Sequence, residues 1–488
     1  MSQLAALAPT TLWQLFEQLC RIPRPSKHEQ KVSQWIQQWA LSKQLTVSED
    51  EVGNLLISKP ATLGMENKKG VILQAHMDMV PQKNNDKEHD FLNDPIEAYV
   101  DGDWVTANGT TLGADNGIGL VSALAVLASD DLAHGPLEVL ITIDEEAGMT
   151  GAFGLKANWL QGDILINTDS EQEGEVYMGC AGGIDGTAKF SLDFEPVKNN
   201  TTAFNLSISG LKGGHSGVDI HTGRANACKL LVRFLLIAAE RYNIQLTELN
   251  GGSLRNAIPR EAEASFVIEN QYIEALKQGL ADYLSAIRFN LKAIETDIDM
   301  LLISPEEFDQ CWTKQCQSQI LNAINGCPNG VIRMSDDIEG IVESSLNFGV
   351  MRTKGQRFEC MTLIRSLHDD GRADVESMVR SVFQLAGATI SFDGAYPGWK
   401  PNTESPIMAT VRDTYLELFG ALPEVMVIHA GLECGLFKSA YPDWDMVSIG
   451  PTIKFPHSPD EKVHIASVEK YWQLLVEVLK KIPEKKAV

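Results

Sequence analysis

Apolar positions recur along the chain in two rhythms, and the change between them divides it. In the first 186 residues, short apolar runs alternate with amphipathic stretches. Thr10–Leu19 sets Leu12, Leu15, Phe16 and Leu19 on one helical face. Ser26 and Glu29 read as a capping box opening a second helix through Trp35 and Trp39. Thr46 to Ile57 alternates as a strand pair turned at Gly53-Asn54. Val71, Ile72, Leu73 and Ala75, then Leu137–Ile143 and Ile164–Asn167, form apolar runs of strand length, which suits strands buried on both faces. Gly113–Gly119 leads into an apolar helix, Leu120–Leu127. Strands alternating with helices predict an α/β fold with a mainly parallel sheet flanked by helices.

From about Thr187 the rhythm changes. Ala203–Ser209 alternates apolar and polar positions, and a Gly-rich loop, Gly210–Gly217, precedes a helix, Arg224–Arg241. Strand and helix patterns with more exposed positions continue through Ser391. This predicts a second, α+β domain built on an antiparallel, half-exposed sheet. Pro397-Gly398 and Pro401 read as a return linker, after which Met408–Phe419, Met446–Ile449 and Val468–Ile482 restore the first rhythm as helix, buried strand and helix. The expected organisation is one domain in two parts, residues 1–186 and 399–488, with residues 187–398 inserted.

The chain's 488 residues exceed what one hydrophobic core usually serves. Its 41 basic and 65 acidic residues leave a net charge of −24, a field that repels nucleic acid and anionic membranes and favours cations. No apolar run reaches the length of a membrane span, and the N-terminus lacks a basic region and cleavage site, so a cytoplasmic protein is expected. The eight cysteines are scattered without a CxxC pair, which suits reduced thiols.

The strand ends carry the chemistry. The first buried run ends in His76-Met-Asp78, the second in Asp144-Glu145-Glu146, and the third in Thr168-Asp169. Asp115 lies in the Gly-rich loop before a helix, and His457 follows the late strand. Ligands collect at the carboxyl ends of strands in parallel sheets. Two histidines and three carboxylates suit two divalent ions better than one, with Asp115 the natural bridge. Each motif alone has an ordinary alternative: an acidic turn, a helix cap, a loop histidine.

In combination, His76-Met-Asp78, Gly113-Ala-Asp-Asn-Gly117, Thr142-Ile-Asp-Glu-Glu-Ala-Gly148, Asn167-Thr-Asp169 and Pro456-His457 resemble the di-zinc aminoacylase, carboxypeptidase G and dipeptidase group. The resemblance implies a di-zinc peptidase domain with an inserted lid domain that also forms a homodimer. It implies two Zn²⁺ per chain, replaceable by Mn²⁺ or Co²⁺. His76 and Asp169 would hold one ion, Glu146 and His457 the other, with Asp115 bridging. Asp78 would orient His76, and Glu145 would be the general base acting on a hydroxide bridging the metals. A cis peptide is implied between Asp115 and Asn116. In the insert, His215 of Gly213-Gly-His-Ser-Gly217 would stabilise the oxyanion, from its own or a partner subunit. Asn256 and Arg365 would bind substrate, the arginine by its fit to a carboxylate. Gly431 and Glu433 of His429-Ala-Gly-Leu-Glu433 are further pocket candidates. The implied activity is hydrolysis of dipeptides, preferentially with C-terminal histidine. Two alternatives stand beside it: an amidase or deacetylase of N-acyl amino acids, and a catalytically idle binding module. No GxSxG, Walker A, GxGxxG or HExxH motif is present.

Overall fold

The computed structural model describes residues 3–304 and 307–485. Two compact units emerge. The first comprises residues 1–180, 399–427 and 432–488, and the second 181–398 and 428–431. The boundary thus falls earlier than the change of rhythm at Thr187, because Gly182–Ser191 is already a strand of the second unit's sheet.

The first unit is built on an eight-stranded sheet. Its order is Thr46–Glu49, Leu55–Lys59, Leu137–Thr142, Val71–His76, Ile164–Asn167, Asp445–Ser448, Glu175–Cys180 and Glu424–Ile428. Val71–His76 runs parallel to both of its neighbours, and Asp445–Ser448 runs parallel to Ile164–Asn167. All six residues of Val71–His76 are buried, as a central parallel strand requires. The edge strands pair antiparallel, with Thr46 opposite Ser58 and Leu55 opposite Ile141. The helix Ala114–Ala128 is apolar all round and buried along most of its length. A smaller four-stranded sheet joins Ile453–Lys454, Lys462–His464, Trp104–Ala107 and Ala98–Asp101. Its first two strands pair Ile453 with Val463 and so anchor the loop containing His457.

The capping box expected at Ser26 and Glu29 does not form. The helix runs Gln30–Ser42 with Glu29 at its N-cap and no side-chain cap. Glu29 instead accepts from the backbone N–H of Lys27 (2.8 Å) and Asp144 (3.1 Å), and Ser26 Oγ donates to Asp78 (2.7 Å). Both side chains are claimed by partners distant in sequence, which local pattern does not reveal.

The second unit's sheet is antiparallel throughout its described pairings. Its order is Asp299–Ile303, Thr201–Ser209, Ala262–Glu269, Gln245–Gly251, Val342–Lys354, Arg357–Ser366, Gly182–Ser191 and Thr389–Tyr396, with Gly330–Met334 also paired to Val342–Lys354. Helices Ala227–Tyr242, Ile273–Leu291, Lys314–Gly326 and Asp369–Leu385 contribute apolar residues to its core, among them Leu231, Leu276, Ile320 and Phe383. All eight cysteines are free thiols and buried. Among the described residues, no helix is long and apolar enough to cross a membrane.

Candidate metal centre

The parallel strands of the first unit deliver their polar residues to one end of the sheet. His76 is the last residue of its strand and is 1 % exposed. Asp169 follows Ile164–Asn167 by two residues, and Glu145 and Glu146 open a single helical turn after Leu137–Thr142. Asp115 stands at the start of Ala114–Ala128, where the Asp115–Asn116 peptide is cis. His457 lies in the loop between the two short strands of the small sheet, with φ of +58°. Left-handed backbone at a non-glycine residue costs energy, and such costs collect at functional sites.

Asp115 lies between the two imidazoles. Its Oδ1 is 3.3 Å from His76 Nε2, and its Oδ2 is 3.2 Å from His457 Nε2. Asp169 Oδ1 is 3.4 Å from His76 Nε2, and Glu146 Oε2 is 2.9 Å from His457 Nε2. Two groups of potential ligand atoms therefore meet at one carboxylate: His76, Asp115 and Asp169 on one side, Asp115, Glu146 and His457 on the other. Behind them, Asp78 Oδ1 is 3.2 Å from His76 Nδ1. Asp78 also accepts from the N–H of Glu145 (3.1 Å) and of Glu146 (3.2 Å), so it holds the imidazole and the acidic turn together.

Burial opposes every charge here, and the neighbours decide which charges persist. Burial pushes Asp169 up to about 7, with His76 pulling down and Asp115 and Glu146 pushing further up. Burial also raises Glu145 well above the usual carboxylate range, with His76 opposing and Asp169, Glu433 and Glu146 adding to the rise. Hydrogen bonds to Asp115 and Glu146 lift His457 to about 11. Burial disfavours the charged form of His76, but Asp169, Asp115 and Asp78 outweigh it and hold its pKa well above normal. The protein groups alone thus crowd more negative charge than two imidazoles neutralise. Glu146 Oε1 and Asp169 Oδ1 are buried without a hydrogen bond. Oxygen and imidazole donors in this number, with unsatisfied carboxylate oxygens among them, fit divalent ions of the zinc or manganese kind.

Three further residues, Arg24, Glu461 and Glu171, are not among the candidates the sequence suggests, and Glu433, a pocket candidate there, takes another role. Arg24, 2 % exposed, donates to the carbonyls of Met77 (3.1 Å), Asp78 (2.8 Å) and Gly113 (2.5 Å). Glu461 accepts four consecutive backbone N–H groups, Leu112 to Asp115. Glu433, 1 % exposed, accepts from Gln74 Nε2 (2.7 Å) and Thr142 Oγ1 (2.8 Å), and burial pushes it up to about 8. It is thus a buried strut under the sheet end rather than an open pocket wall. Glu171 is half-buried, and its carboxylate makes no hydrogen bond or ion pair among the described residues. Burial and the nearby Asp115 and Asp169 push it up to about 8. Only the acidity of residues 169–175 hinted at it.

The remaining candidates belong to the second unit. His215 pairs with Ala257, next to Asn256, through the short strands Gly214–His215 and Ala257–Ile258. Its Nδ1 accepts from the N–H of Gly217 (3.2 Å) and Val218 (3.1 Å), which leaves the imidazole proton on Nε2. Burial and Arg365 push its pKa down to about 4. Asn256 is exposed, and its carbonyl accepts from Ser216 N–H (2.9 Å). Arg365, 5 % exposed, donates to Tyr396 (2.9 Å) and Ser216 (3.3 Å). No carboxylate among the described residues forms an ion pair with it. His429, whose neighbours 428–431 pack with this unit, lies 2.7 Å from Ser345 Oγ, and burial with Arg365 pushes it down to about 3. Gly431 packs against the Tyr396 ring, which stands 3.1 Å from where its Cβ would be.

Residues 72–481 match the family model described as peptidase family M20/M25/M40. The cytosol non-specific dipeptidase of Escherichia coli (strain K12) is 55% identical over 485 residues, covering 99% of this chain and all of the relative. A crystal structure of aminoacylhistidine dipeptidase from Vibrio alginolyticus superposes with a TM-score of 0.92 at 56% identity, covering 99% of each chain. Human carnosine dipeptidase 1 shares the fold at 12% identity, with a TM-score of 0.51 over 96% of this chain and 95% of its own.

Proposed function

The chain belongs to peptidase family M20/M25/M40, and from that membership we propose that it is a metal-dependent dipeptidase whose preferred substrates end in histidine. The observation that most supports this is the sharing of Asp115 between two imidazoles, with Asp169 and Glu146 completing two ligand groups. We assign His76 and Asp169 to one Zn²⁺, Glu146 and His457 to the other, and Asp115 to both. Ions bound there supply Lewis acidity, which lowers the pKa of water and polarises a carbonyl.

The chain's own groups would do the rest. Glu145 takes a proton from the attacking water and returns it to the departing amine, a role its raised pKa suits. Asp78 fixes the ring of His76 through Nδ1. In the second unit, His215 presents a neutral Nε2–H donor, which suits an oxyanion. Arg365, buried and in no ion pair among the described residues, suits the free carboxylate of a dipeptide, with Asn256 as a further polar contact. Glu171, whose carboxyl makes no hydrogen bond or ion pair among the described residues, suits the free ammonium of a dipeptide and favours this reading over an N-acyl amino acid amidase.

The second unit is also the proposed dimerisation body. Its edge strand Asp299–Ile303 leaves Leu301 and Ile303 exposed, and sedimentation showing only monomer would remove that part. A cytoplasmic location accords with eight free thiols and with the E. coli relative being a cytosol dipeptidase. The function is tested by loading the purified chain with Zn²⁺, Mn²⁺ or Co²⁺ and comparing Xaa-His dipeptides with other dipeptides and with N-acetyl amino acids. Fastest cleavage of the Xaa-His set is expected. Faster cleavage of the acetylated set would overturn the dipeptidase reading.

A further inference from the structure

The two ligand-bearing loops on either side of Asp115 are tied to one buried acid and one buried base, neither within the ligand set. Glu461 is 2 % exposed, and among the described residues its carboxylate forms no ion pair. Its Oε2 accepts from the N–H of Leu112 (2.8 Å) and Gly113 (2.9 Å), and its Oε1 from Ala114 (2.8 Å) and Asp115 (3.2 Å). Four converging N–H groups make an anion nest of the kind that binds phosphate elsewhere. Here the anion comes from the chain itself, four residues after His457. Arg24 is the counterpart. Its guanidinium reaches only carbonyls: Gly113 in the Asp115 loop, and Met77 and Asp78 beside His76. Two glycines leave room for it, since a Cβ at Gly113 or Gly117 would lie 2.5 or 2.8 Å from Arg24 Nη2.

We propose that Glu461 and Arg24 form a two-sided clamp that positions Asp115: Glu461 couples it to the His457 loop, and Arg24 couples it to the His76 strand end. This rests on the two-ion reading above. Each residue is a positioning residue, since neither reaches the ligand atoms. The charges fit the task. A carboxylate matches the N–H edge of residues 112–115, and a guanidinium matches carbonyls from two separate segments. Because each tie serves a different half of the centre, the two ions should respond differently. Loss of the Glu461 tie should loosen chiefly the ion assigned to Glu146 and His457. Loss of the Arg24 tie should loosen chiefly the one assigned to His76 and Asp169.

The test uses Glu461→Gln and Arg24→Lys in the full chain. Glutamine keeps the shape of Glu461 but turns an amide NH₂ towards two N–H donors. Lysine keeps the charge of Arg24 but cannot span three carbonyls. Zinc binding is followed by chelator competition, and cobalt binding by its visible absorption, alongside unfolding of the metal-free protein. The expected result is two ions in the unaltered chain and, in each variant, one ion weakened about ten- to a hundredfold with the other near normal. Excess metal should restore most of kcat, with KM little changed. Two ions bound at unaltered affinity in both variants would overturn the clamp. So would a loss of metal matched by collapse of the metal-free fold in both, which would make the residues general scaffold. An unaltered chain that binds fewer than two ions would instead count against the two-ion reading itself.

Discussion

The two units collect opposite kinds of charge in their buried polar regions. In the first, Asp78, Asp115, Glu145, Glu146, Asp169 and Glu433 surround His76 and His457, and most of the carboxyls are pushed up by burial and by one another. In the second, Arg365 is buried and makes no ion pair among the described residues, and the nearby His215 and His429 are held neutral by burial and by that guanidinium. Burial acts alike on both, since it disfavours any charge. The difference lies in what is left unsatisfied. The first region wants cations, and the second can accept an anion.

The comparison breaks most sharply at Glu145. Glu145→Ala should lower kcat by about a hundred- to ten-thousandfold while metal content stays at the unaltered level. Normal turnover would remove the general base from the anionic region. Next comes its cationic counterpart. Arg365→Ala should raise KM for dipeptides by about ten- to a hundredfold, because charge-assisted hydrogen bonds contribute ~1.5–3 kcal/mol. It should scarcely affect zinc binding. Asp78→Ala should weaken zinc affinity by about tenfold or somewhat more, measured by chelator competition, since it acts through His76. Glu171→Gln should raise KM by about tenfold for dipeptides with a free amine, at unaltered metal content, a change of ~1.4 kcal/mol. Equal KM values for both proteins would leave Glu171 without a role in binding the amine.

The response to pH gives the most direct contrast. His429 titrates at about 3, far below an ordinary imidazole, so between pH 6.5 and 3 the unfolded chain binds a proton that the folded one refuses. The second unit should lose stability on acidification, by at most about 1.4 kcal/mol per pH unit from this group. Asp169 and Glu433 lie the other way, at about 7 and about 8. Folded carboxyls there keep protons that the unfolded chain has released, so the metal-free first unit should lose stability as pH rises from about 4 to 8. Hydrogen exchange across pH in the metal-free protein separates the two slopes. Slopes of the same sign would end the comparison.

The ligand candidates were readable because a parallel strand buried on both faces leaves few polar positions, and these fall at its end. His76, Glu146 and Asp169 each follow an apolar run, so their approximate placement required little beyond counting. The supports behind them were not readable. Arg24 and Glu461 bond to backbone groups, which carry no residue identity, across 89 and up to 349 positions of sequence. Glu433 answers Gln74 and Thr142, two polar residues inside strands that read simply as apolar. Ser26 and Glu29 show the converse error. Their spacing suited a local cap, but Ser26 bonds Asp78 and Glu29 bonds Lys27 and Asp144 instead.

The strand Asp445–Ser448 sits between Ile164–Asn167 and Glu175–Cys180 in the middle of the first sheet. On the ribosome, the segment on either side of that slot emerges first, and the filling strand emerges only after the whole second unit has been made. At roughly 5–20 residues per second, the slot stays open for on the order of tens of seconds. During that interval Ile164–Asn167 has one open edge and Glu175–Cys180, whose other neighbour Glu424–Ile428 is also made late, has two, a state that invites pairing with another nascent chain. His457 arrives later still. The centre therefore cannot be completed before the whole second unit has been made, and its assembly becomes a checkpoint on both parts of the first unit.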